Sequence, residues 1–270
     1  MPDTSLNAVI SSRNELSSRY VILRVVSDGW QLPNFLPGQF AVLGLPGSAP
    51  RCQWSEPEPH PNDPDKLIRR AYSIASSSRT QEYMEFYLSL VSNGALTPRL
   101  FALNIGDHLW LSPKVTGLFR LDQVADTQNV VLIATGTGLA PYMSMLSSAM
   151  RCGGPRRFVV LHGAYHSWDL GYRSELLNLQ HLCNNLAYIP TIDRPEEEPV
   201  SWNGHVGWVQ NLWTKGVVAE TWGFKPSPEN THVFLCGVPA MIDEMLAILE
   251  KEGFREHKSR EPGQIHVERY

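Results

Sequence analysis

A change in hydrophobic rhythm near Asp122 constrains this chain more than any other feature. Beyond it, uniformly apolar runs at residues 130–134, 158–162, 186–192 and 233–236 alternate with helix-patterned segments. The first of those segments carries Tyr142, Met145, Leu146 and Ala149 at helical spacing, and others cover residues 174–184, 209–218 and 240–250. Strands apolar on both faces need helices on both faces, which is the pattern of a parallel sheet. Gly253 supplies a stop for the last helix, and residues 264–270 read as a final strand. Before Asp122 the runs are shorter, at residues 20–26, 39–45, 71–75, 85–91 and 108–111, with Gly, Pro, Asn and Asp between them. That pattern predicts a small antiparallel barrel or sandwich. Thr97 and Pro98 read as the N-cap and first residue of one short helix in this half. Residues 48–65, dense in Pro, Asp and Glu, read as a long exposed loop. The expected fold is therefore two-domain. An N-terminal antiparallel β-barrel covers residues 1–122, and a C-terminal α/β doubly wound parallel sheet covers residues 123–270.

The 270 residues give room for two cores. With 43% hydrophobic and 19% charged residues, wholesale disorder is excluded. A net charge of −4 argues against a nucleic-acid binder, and no apolar run reaches membrane-spanning length. The opening MPDTSLNAVISSRNELSS lacks a basic segment followed by an apolar one, so no signal peptide and a cytoplasmic location are expected. The four cysteines, Cys52, Cys152, Cys183 and Cys236, are far apart and form no C-x-x-C pair. They read as independent thiols rather than as ligands of a metal or iron–sulfur centre. His162 and His166 have i, i+4 spacing, but across a strand end and a loop, so no metal site is expected there either.

Five short motifs carry chemistry. In Arg70-Ala71-Tyr72-Ser73 the strand period places Arg70 and Tyr72 on one face and Ser73 on the other. Arg can grip a pyrophosphate and Tyr can stack on a planar ring. Gly94-Ala95-Leu96-Thr97-Pro98 opens the short helix, where free N–H groups favour an anion. Thr135-Gly136-Thr137-Gly138 links an apolar strand to a helix starting at Pro141, and its glycines let backbone amides approach a diphosphate. It lacks the third Gly of the common dinucleotide fingerprint, and no acid stands at a second strand end about 20 residues on. Cys236-Gly237-Val238-Pro239 sits at another strand end of the same sheet and can face the same crevice. The chain closes on Glu268-Arg269-Tyr270, where a terminal aromatic needs something to stack on. Each motif alone has a plainer reading: an edge strand, a capped turn, a tight turn, a buried thiol, a frayed end.

Their order along nearly the whole chain, from Pro37-Gly38-Gln39-Phe40 to Tyr270, resembles the ferredoxin–NADP(H) reductase family, and its bacterial members above all. The resemblance implies an FAD-binding barrel followed by an NADP(H)-binding α/β domain. It implies that Arg70, Ala71, Tyr72 and Ser73 hold the flavin, with Tyr87, Ala95, Leu96 and Thr97 at its ribityl and phosphate region. Thr137 would touch the flavin from the second domain, and Tyr270 would cover its other face. Ser73, Cys236, Glu268 and Tyr270 would surround hydride transfer between nicotinamide and flavin N5. Gly136, Gly138, Gly237 and Pro239 would hold the dinucleotide, with Ala164, Tyr165, Asp193, Arg194 and His205 at its far ribose.

The chain departs from the bacterial pattern at that ribose. Tyr165 stands where many members carry Arg, Asp193 replaces the hydroxyl residue before Arg194, and His205 falls near a third Arg. An Asp repels a 2′-phosphate and accepts free ribose hydroxyls, whereas Arg194 favours phosphate. NADP(H) and NAD(H) therefore both stay open. The implied activity is that of an FAD oxidoreductase passing electrons singly to ferredoxin or flavodoxin, which would dock on a basic rim drawn from Arg51, Lys66, Arg69, Arg99 and Lys258. Two other readings compete. One is an NADH-linked oxygenase reductase whose iron–sulfur carrier is a separate protein. The other is a flavin redox sensor or partner-binding subunit without turnover.

Overall fold

The computed structural model describes residues 6–269. The chain divides into two compact units. One comprises residues up to Arg120 together with Ala140–Ser148, and the other comprises Leu121–Leu139 and the residues from Ala149 onward.

The first unit contains β1 (Ala8–Ser17), β2 (Tyr20–Ser27), β3 (Phe40–Pro46), β4 (Leu67–Ser73), β5 (Met84–Ser89), α1 (Thr97–Ala102) and β6 (His108–Leu111). The strands form one antiparallel sheet in the order β4-β3-β6-β1-β2-β5. Its two ends meet just past β4, where Ile74 bridges to Phe86 and the Ala75 N–H donates to the Glu85 carbonyl at 2.8 Å. That contact closes the sheet into the expected barrel. Its interior holds fully buried Leu23, Leu43, Phe86, Leu100 and Leu109, each contributing roughly 1.5–3 kcal/mol by leaving water.

Two local expectations are corrected here, and one strand was not expected. Strand β1 escapes a hydrophobic scan because its second half, Ser12–Ser17, is polar and largely outward-facing; pairing with β2 makes it a strand. The run expected at residues 71–75 is a strand over Leu67–Ser73, because it pairs with β3 from Pro46↔Leu67 to Phe40↔Ser73. Thr97 is the first helical residue of α1, not its cap, and Leu96 holds the cap position. The Thr97 hydroxyl turns back to the backbone of Val91, accepting from its N–H at 3.0 Å and donating to its carbonyl at 3.3 Å.

The loop over residues 48–65 is mostly exposed, as expected, yet it turns Glu58 inward. Arg99, only 4% exposed, and Arg51 both pair with that carboxylate. The Arg99 guanidinium holds the Glu58 carboxyl below the usual carboxylate range. Arg99 and Arg51 are thus internal ties rather than members of a basic rim, and Arg69 lies over the Trp110 ring at 4.2 Å.

The second unit contains β7 (Asn129–Thr135), β8 (Phe158–Ala164), β9 (Leu186–Ile192), β10 (His205–Val206), β11 (Thr231–Cys236) and β12 (Ile265–Glu268). All pair in parallel, in the order β10-β9-β8-β7-β11-β12. The helices are α2 (Ala140–Ala149, grouped with the first unit), α3 (Arg173–Leu182), α4 (Gln210–Thr214), α5 (Val217–Trp222) and α6 (Pro239–Lys251). The single helix expected over residues 209–218 is two, because Gly216 at φ 74° breaks it. After β10 the chain returns to the other side of β7. The switch in strand order therefore lies between β7 and β11, the place where ligands bind in such sheets.

Cys152 and Cys183 form a disulfide with a Cα separation of 4.6 Å. This corrects the reading of four independent thiols. The two residues are 31 apart in sequence, but Cys152 follows α2 and Cys183 caps α3, and parallel crossovers return both helix ends to the same edge of the sheet. Cys52 and Cys236 are buried and outside any disulfide. Among the described residues, no helix is long and apolar enough to cross a membrane.

Candidate active site

The carboxyl ends of the paired strands β7 and β11 meet at backbone contact, here called the β7–β11 crossing. A Cβ on Gly138 would lie 2.1 Å from the Cys236 carbonyl oxygen. Gly237, at φ 148°, would drive a Cβ to 2.1 Å from the Thr135 hydroxyl. That hydroxyl accepts the Val238 N–H at 2.8 Å and ties the two strand ends together. Residues Gly136–Leu139 form a tight helical turn running directly into α2. The glycines thus let the two strand ends pack backbone on backbone, and the Gly136–Leu139 turn beside them is a glycine cradle of the kind that receives a diphosphate.

His162 supports this turn from below. It is fully buried on β8, with Nε2 3.3 Å from the Gly136 carbonyl and Nδ1 3.2 Å from the Tyr188 hydroxyl. Burial lowers its pKa to about 4, so it is a neutral structural hydrogen-bonder. His166 is engaged elsewhere, by Asp169 at 3.0 Å and Glu197 at 2.7 Å. Among the described residues, no group of three or more His, Cys, Asp or Glu is placed to hold a metal ion.

The register of β11 and β12 sets Cys236 beside Glu268, with Sγ 3.7 Å from Oε2. A thiol and a carboxylate thus stand together at the same sheet end as the glycine cradle. Arg269 pairs with Asp243 of α6 at 2.8 Å and anchors the end of β12. Tyr270 lies outside the described residues. Pro239 opens α6 just past the crossing and is exposed.

At the opposite side of the sheet, the backbone pairing of β8 and β9 continues past both strands. The Asp193 N–H donates to the Ala164 carbonyl at 3.2 Å, and the Arg194 N–H donates to the Tyr165 carbonyl at 3.1 Å. Ala164, Tyr165, Asp193 and Arg194 are therefore neighbours. His205 begins β10 opposite Thr191, alongside the same end of β9.

In the first unit, β4 forms one end of the sheet and presents Arg70 and Ala71 to solvent. The Arg70 guanidinium has no carboxylate partner among the described residues; Nη1 donates to the Arg69 carbonyl at 2.7 Å. Tyr72 packs half-buried against the barrel, and that burial pushes its hydroxyl pKa up, opposed by the charge of Arg70. Ser73 ends the strand opposite Phe40. A guanidinium held by no carboxylate among the described residues and a ring beside it on a strand edge fit a dinucleotide's pyrophosphate and planar ring. Tyr87 faces away from the barrel core and is buried against Tyr20, ring centroids 5.7 Å apart. Leu96 fills the barrel core, while Ala95 and Thr97 are half-exposed at the start of α1.

Comparison with known proteins agrees with this fold. Residues 132–246 match the family model of an oxidoreductase NAD-binding domain. A flavodoxin/ferredoxin–NADP reductase of Buchnera aphidicola is 32% identical over 76% of this chain and 81% of its own length. The enzyme of that name from Escherichia coli is 31% identical, over 77% and 76% respectively. The chain belongs to the flavodoxin/ferredoxin–NADP reductase family. Its fold is shared with a crystal structure of a ferredoxin NADP+ reductase from Neisseria gonorrhoeae with bound FAD and NADP, at a TM-score of 0.80, 21% identity and 97% coverage of both chains.

Two contributors to the cradle escaped sequence reasoning. Thr135 carries the bond that locks β7 to β11, and its one signal was its place at the strand end before Gly136. His162 read as a failed metal ligand, because nothing local shows that β9 brings Tyr188 within reach of its ring.

Proposed function

We propose that this chain is an FAD-dependent reductase that exchanges hydride between NADP(H) and flavin, coupled to a separate one-electron carrier, ferredoxin or flavodoxin. The observation that carries the proposal is the Cys236–Glu268 pair at the carboxyl end of the parallel sheet, beside the glycine turn Gly136–Leu139. Membership of the family supports the carrier assignment, since relatives about 30% identical bear both carriers in their names.

Arg70 would hold the flavin's pyrophosphate and Tyr72 would pack on its ring, with Ser73 at the end of the same strand. When bound, FAD supplies the conversion between two-electron hydride chemistry and one-electron transfer. Gly136, Gly138 and Gly237 would let backbone N–H groups meet the nicotinamide dinucleotide's phosphates. Cys236 and Glu268 would position the nicotinamide ring and exclude water there. Ser73, Cys236, Glu268 and Tyr270 are the residues proposed to surround the reacting atoms.

Stopped-flow mixing tests this reading. Purified protein reconstituted with FAD and mixed anaerobically with NADPH or NADH should lose flavin absorbance, and oxidised ferredoxin or flavodoxin should restore it. No flavin reduction by either nucleotide would sink the proposal. Reduction without reoxidation by either carrier would overturn its carrier half.

A further inference from the structure

Behind the glycine turn runs a buried chain of hydrogen bonds that begins on β9, crosses β8 and ends just past β7. His162 and Tyr188 are both buried, and the β8–β9 register pairs His162 with Pro190, two residues beyond Tyr188 on the same face. The Tyr188 hydroxyl lies 3.2 Å from His162 Nδ1, and His162 Nε2 lies 3.3 Å from the Gly136 carbonyl oxygen. A carbonyl oxygen only accepts, so Nε2 carries the proton. Burial lowers the His162 pKa to about 4, so its ring is neutral with a single N–H, and Nδ1 accepts from Tyr188. Burial pushes the Tyr188 hydroxyl pKa up, opposed by the charge of Arg173, and keeps that donor protonated. The direction of both bonds is thereby fixed: Tyr188 O–H to His162, and His162 N–H to Gly136.

The second bond orients a peptide plane. The Gly136–Thr137 peptide is trans, and in a trans peptide the C=O and the following N–H point opposite ways. With the Gly136 carbonyl turned onto His162, the Thr137 N–H points away from the buried ring, and Thr137 itself is half-exposed. Gly136 sits at φ 51°, which glycine adopts without strain, and the same freedom admits the flipped peptide. A flip would turn the Gly136 carbonyl, an acceptor, toward phosphate oxygens that are acceptors too. From this geometry, and resting on the reductase reading above, we propose that His162 and Tyr188 are positioning residues for the dinucleotide: they hold the Gly136–Thr137 peptide so that its N–H meets the diphosphate. Both act through the backbone of the turn, and neither touches the reacting atoms.

Binding of NADP+ to the FAD-loaded protein, measured by calorimetry, provides the test, together with nitrogen NMR of the His162 ring. At neutral pH the wild-type ring should be protonated at Nε2; a ring protonated at Nδ1 would overturn the proposal. Tyr188→Phe removes the donor to Nδ1, so part of the His162 population should move its proton there. NADP+ affinity should then fall by about threefold to tenfold, the worth of one neutral hydrogen bond. His162→Leu should lose about tenfold, and His162→Gln, whose amide can donate to Gly136 and accept from Tyr188, should recover most of that loss. In stopped-flow mixing with NADPH, the half-saturating concentration for Tyr188→Phe should rise more than the limiting rate of flavin reduction falls. Should His162→Leu fail to fold, Tyr188→Phe carries the test. Unchanged affinity in Tyr188→Phe, or equal losses in His162→Leu and His162→Gln, would make the pair purely structural and overturn the proposal. If the wild type itself binds no NADP+, the reductase reading falls and this proposal falls with it.

Discussion

At the β7–β11 crossing the candidate site is made of backbone, whereas along β4 it is made of side chains. Gly138 and Gly237 sit where any Cβ would strike a neighbouring strand end, and Thr135 bonds across the gap. Arg70 and Ala71 project from an open sheet end and support little of the barrel. The difference teaches where specificity and stability are joined. A backbone cradle cannot be altered without disturbing the sheet, while a side-chain grip can be removed and leave the fold intact.

The largest effect should follow from Gly138→Ala. Its new methyl meets a main-chain carbonyl that cannot rotate away, so the second unit should lose about 3 kcal/mol, read by urea denaturation. Unchanged stability would mean the crossing is softer than it looks and would remove the contrast. Next, Arg70→Ala should leave stability within about 0.5 kcal/mol. It should weaken FAD binding by about tenfold to a hundredfold, the worth of a charge-assisted hydrogen bond. Fluorescence titration with FAD decides between that and a purely structural arginine.

A third effect is in pH, and it separates the two units. His162 is protonated near pH 6.5 when unfolded but only near pH 4 in the fold. Its stabilisation is complete above pH 6.5 and lost as the pH falls toward 4, with a slope of up to about 1.4 kcal/mol per pH unit. His232 and His266, also in the second unit, are lowered to about 4 and about 3 by burial and act in the same direction. The first unit's Glu58 depends on pH in the same direction, but over a lower window. Its pKa is depressed from 4.5, so its contribution persists above that value and is lost only as the pH falls through the folded pKa. Hydrogen exchange at about pH 5 should therefore show the second unit opening more readily than the barrel. Equal loss in both units would break this part of the comparison, and His162→Gln should flatten the second unit's pH dependence.

Much of this architecture was legible because periodicity is a local property. The apolar runs at β7, β8, β9 and β11 needed no partner to be recognised. Strand β1 was not legible, because only two of its ten residues, Ala8 and Ile10, are buried, and the β2 ladder holds its polar second half extended. The same limit hid the two-residue β10, the break at Gly216 and the Cys152–Cys183 bridge. Among site residues, Cys236 and Glu268 were expected to share a neighbourhood, and the β11–β12 register puts them side by side. Arg99 and Arg51 looked like surface charge because nothing near them in sequence announces the inward turn of Glu58.

By itself, then, the sequence determined the two kinds of layer, the order of their strands along the chain and the residue types at each strand end. Those follow from side-chain period and turn chemistry, which act over a few residues. Only the tertiary structure decided which strand ends meet, which charges are already paired and which acceptor is left open. Asp193 shows why. Its position after β9 is written in the sequence, but that its Oδ1 is buried with no hydrogen-bond partner among the described residues is visible only in the fold.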